Sequence, residues 1–168
     1  MNFFLFILFF FAKSDSDIIT TAKKVSTEYN VPNKDYVVII DYTKPITAER
    51  LYLVRISVNR IVLKSTVAHG INSGKVYATE FSNEENSLKS SLGAYQTTST
   101  YIGKYGFSLK LIGLEKGINS NAERRNIIFH STKKMTQEYS WGCFATPDSI
   151  NSVLLPLIKN GCLVYVFR

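Results

Sequence analysis

A thiol becomes a useful nucleophile when an imidazole within hydrogen-bond reach can take its proton. Toward the C-terminal end of this 168-residue chain, Asn126-Ile127-Ile128-Phe129 runs into His130, and further on Ser140-Trp141-Gly142 runs into Cys143. The glycine lets backbone approach closely enough to present N–H groups to an oxyanion, so nucleophile, base and oxyanion donors could all come from this stretch. A plainer reading fits the same residues: Cys143 as a small buried hydrophobe and His130 as a satisfied histidine at a strand end. The order His then Cys departs from the Cys-then-His order of papain-like peptidases.

The elements that must hold such a pair are mostly strands. Apolar runs of strand length fall at residues 36–40, 51–56 and 61–63, the last two separated by Asn59-Arg60 as in a hairpin, and further strands are expected at 107–112, 126–129 and 163–167. Residues 71–106 are rich in Gly, Ser, Thr and Asn and read as long loops with short strands. Ile18, Ala22, Val25 and Tyr29 recur at helical spacing behind the capping candidates Ser14, Asp15 and Ser16, and Pro32 follows, which predicts an amphipathic helix over 17–30. A second helix is expected to start at Thr146-Pro147-Asp148, with Ile150, Val153, Leu154, Leu157 and Ile158 on its apolar face and a break or kink at Pro156. The sum is a mainly β domain with two peripheral helices.

Length argues for one domain, and 45% hydrophobic residues with nine Gly and four Pro exclude a disordered or collagen-like chain. The formal net charge of +7 suits anionic partners: nucleic acid, an anionic membrane surface or an acidic envelope polymer. No arginine-rich arm, zinc-finger spacing or aromatic RNA-binding signature accompanies it, so nucleic acid is not expected. Two cysteines cannot build a disulfide framework, and two histidines lack the usual zinc ligand set. Residues 3–12 are uninterruptedly apolar and precede the polar run Lys13-Ser14-Asp15-Ser16-Asp17. Ten helical residues span about 15 Å, half a bilayer core, which suits a secretory h-region better than a membrane span. No Lys or Arg precedes the run and no small-x-small cleavage site follows it, features that fit a buried terminal element instead. The expected division is a signal peptide or hydrophobic segment over 1–16 and a domain over 17–168, the mature chain starting between Ala12 and Asp17.

From about residue 36 to 168, several motifs stand in one register: Val67-Ala68-His69-Gly70, Phe81-Ser82-Asn83, Ser90-Ser91-Leu92-Gly93-Ala94-Tyr95, Gly103-Lys104-Tyr105-Gly106-Phe107-Ser108-Leu109, Gly113-Leu114-Glu115, Asn119-Ser120-Asn121-Ala122, Arg125, His130 and Ser140-Trp141-Gly142-Cys143. Together they resemble the murein L,D-transpeptidase catalytic domain family, a branch of the YkuD-like enzymes. The resemblance implies an exported, cofactor-free and metal-free cysteine enzyme on a β-sandwich-like fold. Its partners would be peptidoglycan stem peptides, with no nucleic acid, no stable membrane span after processing and a monomeric state.

It also implies roles. Cys143 would be the nucleophile, His130 its general base and Ser131 the residue whose backbone carbonyl orients the imidazole, with the Gly142 and Cys143 N–H groups forming much of an oxyanion hole. Trp141 and Ala145 stand where many YkuD-like enzymes have a second histidine and an arginine; the tryptophan is usual for this branch and is expected to touch substrate. Phe144 stands where the branch more often has proline. Because stem peptides carry several carboxylates, Arg124, Arg125, Lys133 and Lys134 are candidate anchors, against the alternative of an ordinary solvated face. The implied reaction passes through a thioester and ends as an L,D-transpeptidase or an L,D-carboxypeptidase. The alternative is a catalytically idle envelope-binding module. A sortase-like transpeptidase fits less well, since that family's histidine lies much farther upstream of its cysteine. His69 is expected to be structural or substrate-lining rather than a metal ligand, Cys162 to be packed in the last strand, and Glu115 either to orient a histidine or to end a strand.

Overall fold

The computed structural model describes residues 13–132 and 139–168; the apolar run 3–12 and the candidate anchors Lys133 and Lys134 lie outside the described residues. Helix α1 (Asp15–Glu28) leads into β1 (Asn33–Asp41), β2 (Leu51–Arg55), β3 (Arg60–Ser65), β4 (Gly93–Gly103), β5 (Gly106–Gly113), β6 (Ile128–Ser131), β7 (Phe144–Thr146), α2 (Asp148–Ile158) and β8 (Cys162–Phe167). The eight strands form one curled sheet in the order β3-β2-β1-β8-β4-β5-β6-β7. The expected mainly β architecture with two helices is what the chain adopts.

The unbroken apolar run in β1 has a simple cause: the strand is central and covered on both faces. Val37 and Ile39 pack with Ile18, Ala22 and Val25 of α1, while Val38 and Ile40 pack with Leu154, Leu155 and Ile158 of α2. Strand β8 lies parallel to β1 and divides the same way, Leu163 toward α1, Val164 and Val166 toward α2. Helix α1 begins two residues before its expected start because Ser14 and Asp17 form a reciprocal capping box, so the helix reaches into the segment expected to precede the domain.

Three expectations change. Residues 71–106 contain the longest strand, β4, whose polar Gln96, Thr97, Thr98, Ser99 and Thr100 hide its periodicity although it pairs with both β5 and β8. Three-residue β7 is too short to announce itself. Helix α2 continues past Pro156 to Ile158, since the proline and Ser152, whose carbonyl it leaves without a helical amide, are both exposed. Its buried face uses Leu155 in place of the exposed Val153 and Leu157.

Glu115 neither orients a histidine nor merely ends a strand. Its Oε1 accepts from Tyr29 Oη (2.8 Å) and the Ala94 amide (2.6 Å), tying α1 to β4. Cys162 is buried, with its Sγ donating to the Tyr36 carbonyl at 3.1 Å. No helix among the described residues is long and apolar enough to cross a membrane.

Candidate active site

Register sets the two candidate side chains on one cleft. Strand β6 runs parallel to β7, with Phe129 opposite Phe144 and His130 opposite Ala145. Phe129 and Phe144 point into the core, so alternation along the strands turns His130 to the other face, and Cys143, just ahead of β7, turns with it. Both line a cleft of about 800 Å³, together with Tyr105, Arg125, Asn126 and Trp141.

The hydrogen bonding of the imidazole defines its tautomer. Nδ1 of His130 lies 3.0 Å from the Ser131 carbonyl, which can only accept, so Nδ1 carries the proton and Nε2 keeps its lone pair. Tyr105, at the tip of the β4–β5 hairpin, stacks on the ring with centroids 4.5 Å apart and planes 24° from parallel. Burial holds His130 below its ordinary value, with the Ser131 bond opposing. Burial also pushes the Cys143 thiol up to about 11, against the Ile128 backbone and the nearby Arg125 charge. The pair therefore rests as neutral thiol and neutral imidazole, the thiol donating to the Asn126 carbonyl at 3.5 Å.

A hydroxyl shapes the turn before the cysteine. Ser140 Oγ donates to the Cys143 carbonyl (2.7 Å) and accepts from the Gly142 amide (3.1 Å). The Gly142 N–H expected to face an oxyanion donates here to Ser140. The glycine is required for another reason: its φ is +112°, and a Cβ there would stand 2.7 Å from the Lys89 carbonyl oxygen.

The candidate anchors separate. Arg124 is exposed, pairs with Glu85 at 2.6 Å and does not line the cleft. Arg125 borders the cleft, yet its guanidinium donates to the carbonyls of Ser82 (2.8 Å) and Lys89 and to Ser91 Oγ (3.1 Å). It clamps the loop beneath the turn and sets a positive charge near the thiol. Trp141 is 67% exposed on the cleft. Sequence reasoning missed Tyr105 as a partner of His130; the glycines on either side of the hairpin tip were the available signal. Among the described residues no three His, Cys, Asp or Glu side chains converge as a metal site, and His69 is fully buried, its two ring nitrogens bound to Arg50 and to the Gly74 carbonyl.

Burial lowers the pKa of both His69 and His130, so just below about pH 6.5 the unfolded chain binds more protons than the folded one. Their contribution to stability is complete above that pH and is lost as pH falls through the folded-state values. The urea midpoint is expected to hold between about pH 7 and 8 and decline below about 6.5, less steeply in His69→Gln; a midpoint that rises on acidification from 7 to 5 would contradict this.

The sequence profile of the L,D-transpeptidase catalytic domain family matches residues 12–167, and the chain belongs to that family. Among solved structures it is similar to a fused Zn-dependent amidase/peptidase/peptidoglycan-binding domain-containing protein from Clostridium acetobutylicum, with TM-score 0.52 and 11% identity over 91% of this chain and 62% of that one. Bd1075 of Bdellovibrio bacteriovorus gives 0.51 and 16% over 79% and 48%. An L,D-transpeptidase from Stackebrandtia nassauensis gives 0.49 and 15% over 92% and 65%. At these identities the likeness to the first two is one of fold, and this chain spans 48% to 65% of the length of those three. No curated protein sequence matches it.

Proposed function

We propose that this domain performs cysteine-dependent acyl transfer on peptidoglycan stem peptides, as an L,D-transpeptidase or L,D-carboxypeptidase, outside the cytoplasmic membrane. The observation that carries the reading is the placement of Cys143 and His130 on one face of adjoining strands and in one cleft, with the imidazole in the tautomer a base needs. Family membership supports the choice of substrate. The apolar run 3–12 supports export.

In the first step Cys143 Sγ attacks the amide carbonyl between the L-centre of the third stem residue and the following D-alanine. His130 Nε2 takes the thiol proton and delivers it to the departing amine of D-alanine. The Cys143 N–H meets the developing oxyanion, and Arg125 favours the thiolate over the thiol. The thioester that forms is then opened by an amine of a neighbouring stem or by water, with His130 removing the acceptor's proton. The neutral resting pair means that the proton moves as attack proceeds, with no standing thiolate.

Mass spectrometry of the chain incubated with disaccharide-tetrapeptide tests this. D-alanine release and an acyl-enzyme adduct are expected, unaffected by EDTA and abolished by prior iodoacetamide treatment. Absence of both product and adduct would overturn the reading and leave an envelope-binding module.

A further inference from the structure

Arg50 and His69 are both fully buried, and neither lines the cleft. A buried guanidinium is costly unless its donors are matched, and the donors of Arg50 go to neutral acceptors. Nε and Nη2 donate to the Val67 carbonyl (3.0 and 2.6 Å), Nη1 to the Lys44 carbonyl (3.2 Å) and Nη2 to His69 Nδ1 (2.9 Å), while the guanidinium lies 4.7 Å over the Tyr42 ring. The Gly74 carbonyl, 2.9 Å from His69 Nε2, can only accept, so Nε2 carries the proton and Nδ1 is the acceptor for Arg50. Each nitrogen of the ring has one role, and Arg50 fits the one tautomer that satisfies both.

Arg50, His69 and Tyr42 fix the backbone of residues 67–71, which touches the nucleophile turn along its other edge. The Tyr42 hydroxyl donates to the Ala68 carbonyl at 3.3 Å. Facing the turn, the Ser140 amide donates to the His69 carbonyl (2.9 Å), the Ile71 amide to the Ser140 carbonyl (2.8 Å) and the Ala68 amide to the Ala145 carbonyl (2.8 Å). Gly70 and Ser140 form a parallel bridge. Ser140 is the residue whose hydroxyl spans the turn to Cys143.

We infer that the Arg50–His69 pair is a positioning device for Cys143, holding residues 67–71 as a template on which the turn 140–143 is registered against His130. This inference rests on the reading of Cys143 as nucleophile. Misplacing a reacting group by about 1 Å costs up to about 10²-fold in rate, so the effect belongs in the chemical step and not in substrate affinity.

The test compares three variants in a Cys162→Ala background, each checked for folding by circular dichroism. His69→Leu removes both ring bonds, His69→Gln keeps one acceptor and one donor, and Arg50→Lys keeps the charge but loses the fork. Two rates are read: kcat and KM for D-alanine release, and alkylation of Cys143 by iodoacetamide across pH. His69→Leu and Arg50→Lys are expected to lose about 10- to 100-fold in kcat, with KM within about threefold of the parent and an altered alkylation profile; His69→Gln should recover most of the loss. Folded His69→Leu and Arg50→Lys with parental kcat and alkylation profile would overturn the inference, as would a His69→Gln no better than His69→Leu. Should His69→Leu fail to fold, Arg50→Lys decides. A parent that alkylates but releases no D-alanine would defeat the acyl-transfer reading, and the alkylation profiles would then judge the positioning by themselves.

Discussion

Cys143→Ala should abolish both the acyl-enzyme adduct and D-alanine release, leaving a folded domain that still binds its substrate. The side chain is half-buried on the cleft and the turn is tied down through its carbonyl and Ser140 Oγ, so removing the sulfur deletes the proposed nucleophile and leaves that bond in place. Cys162→Ala is the control. Its thiol is buried in β8 and donates to Tyr36, so it should cost stability but little rate. Intact-mass measurement after exposure to a thiol-acylating carbapenem distinguishes the two. An adduct that persists in Cys143→Ala and vanishes in Cys162→Ala would reverse the assignment.

His130→Ala has the second largest expected effect and a characteristic pH signature. A thiol near 11 is only about 10⁻⁴ ionised at pH 7, so the reaction depends on a base during attack. Loss of the imidazole is expected to slow acylation at pH 7 by about 10²- to 10⁴-fold. The residual rate should then climb roughly tenfold per pH unit, toward the thiol's own titration, because the only remaining route is through unassisted thiolate. The parent should instead be nearly level over that range and fall only in acid, below the ordinary histidine value, since burial lowers His130. A variant with the parental rate at neutral pH, or a parent with the same steep alkaline climb, would remove His130 from the base role.

Some of this was legible from residue order and some was not, for physical reasons. Strand β6 announced itself by an apolar run ending in His130, and the glycine before Cys143 announced a backbone that other residues cannot adopt. Strand β4 did not, because its pairing rests on backbone groups that Thr and Gln supply as well as Val would. The bond of the Gly142 amide to Ser140 was hidden because a serine two residues earlier reads as loop chemistry until its hydroxyl is seen to span the turn. Arg124 and Arg125 look alike as neighbours in sequence, yet one pairs with Glu85 at the surface and the other threads beneath the turn. Arg50 was least visible of all: its acceptors are the carbonyls of Val67 and Lys44, and main-chain oxygens leave no mark in a sequence.

The chain contains a single tryptophan, and it is Trp141, exposed on the cleft that Cys143 also lines. Indole fluorescence of this protein is therefore a local signal: no second indole in the chain dilutes it. Filling of the cleft, or the proposed acylation, would change the solvent around that one ring, so intensity and emission wavelength are expected to follow occupancy in real time on unlabelled protein. A stopped-flow trace of the native chain should thereby separate a binding phase from the proposed covalent phase, with no chromophore attached to the substrate.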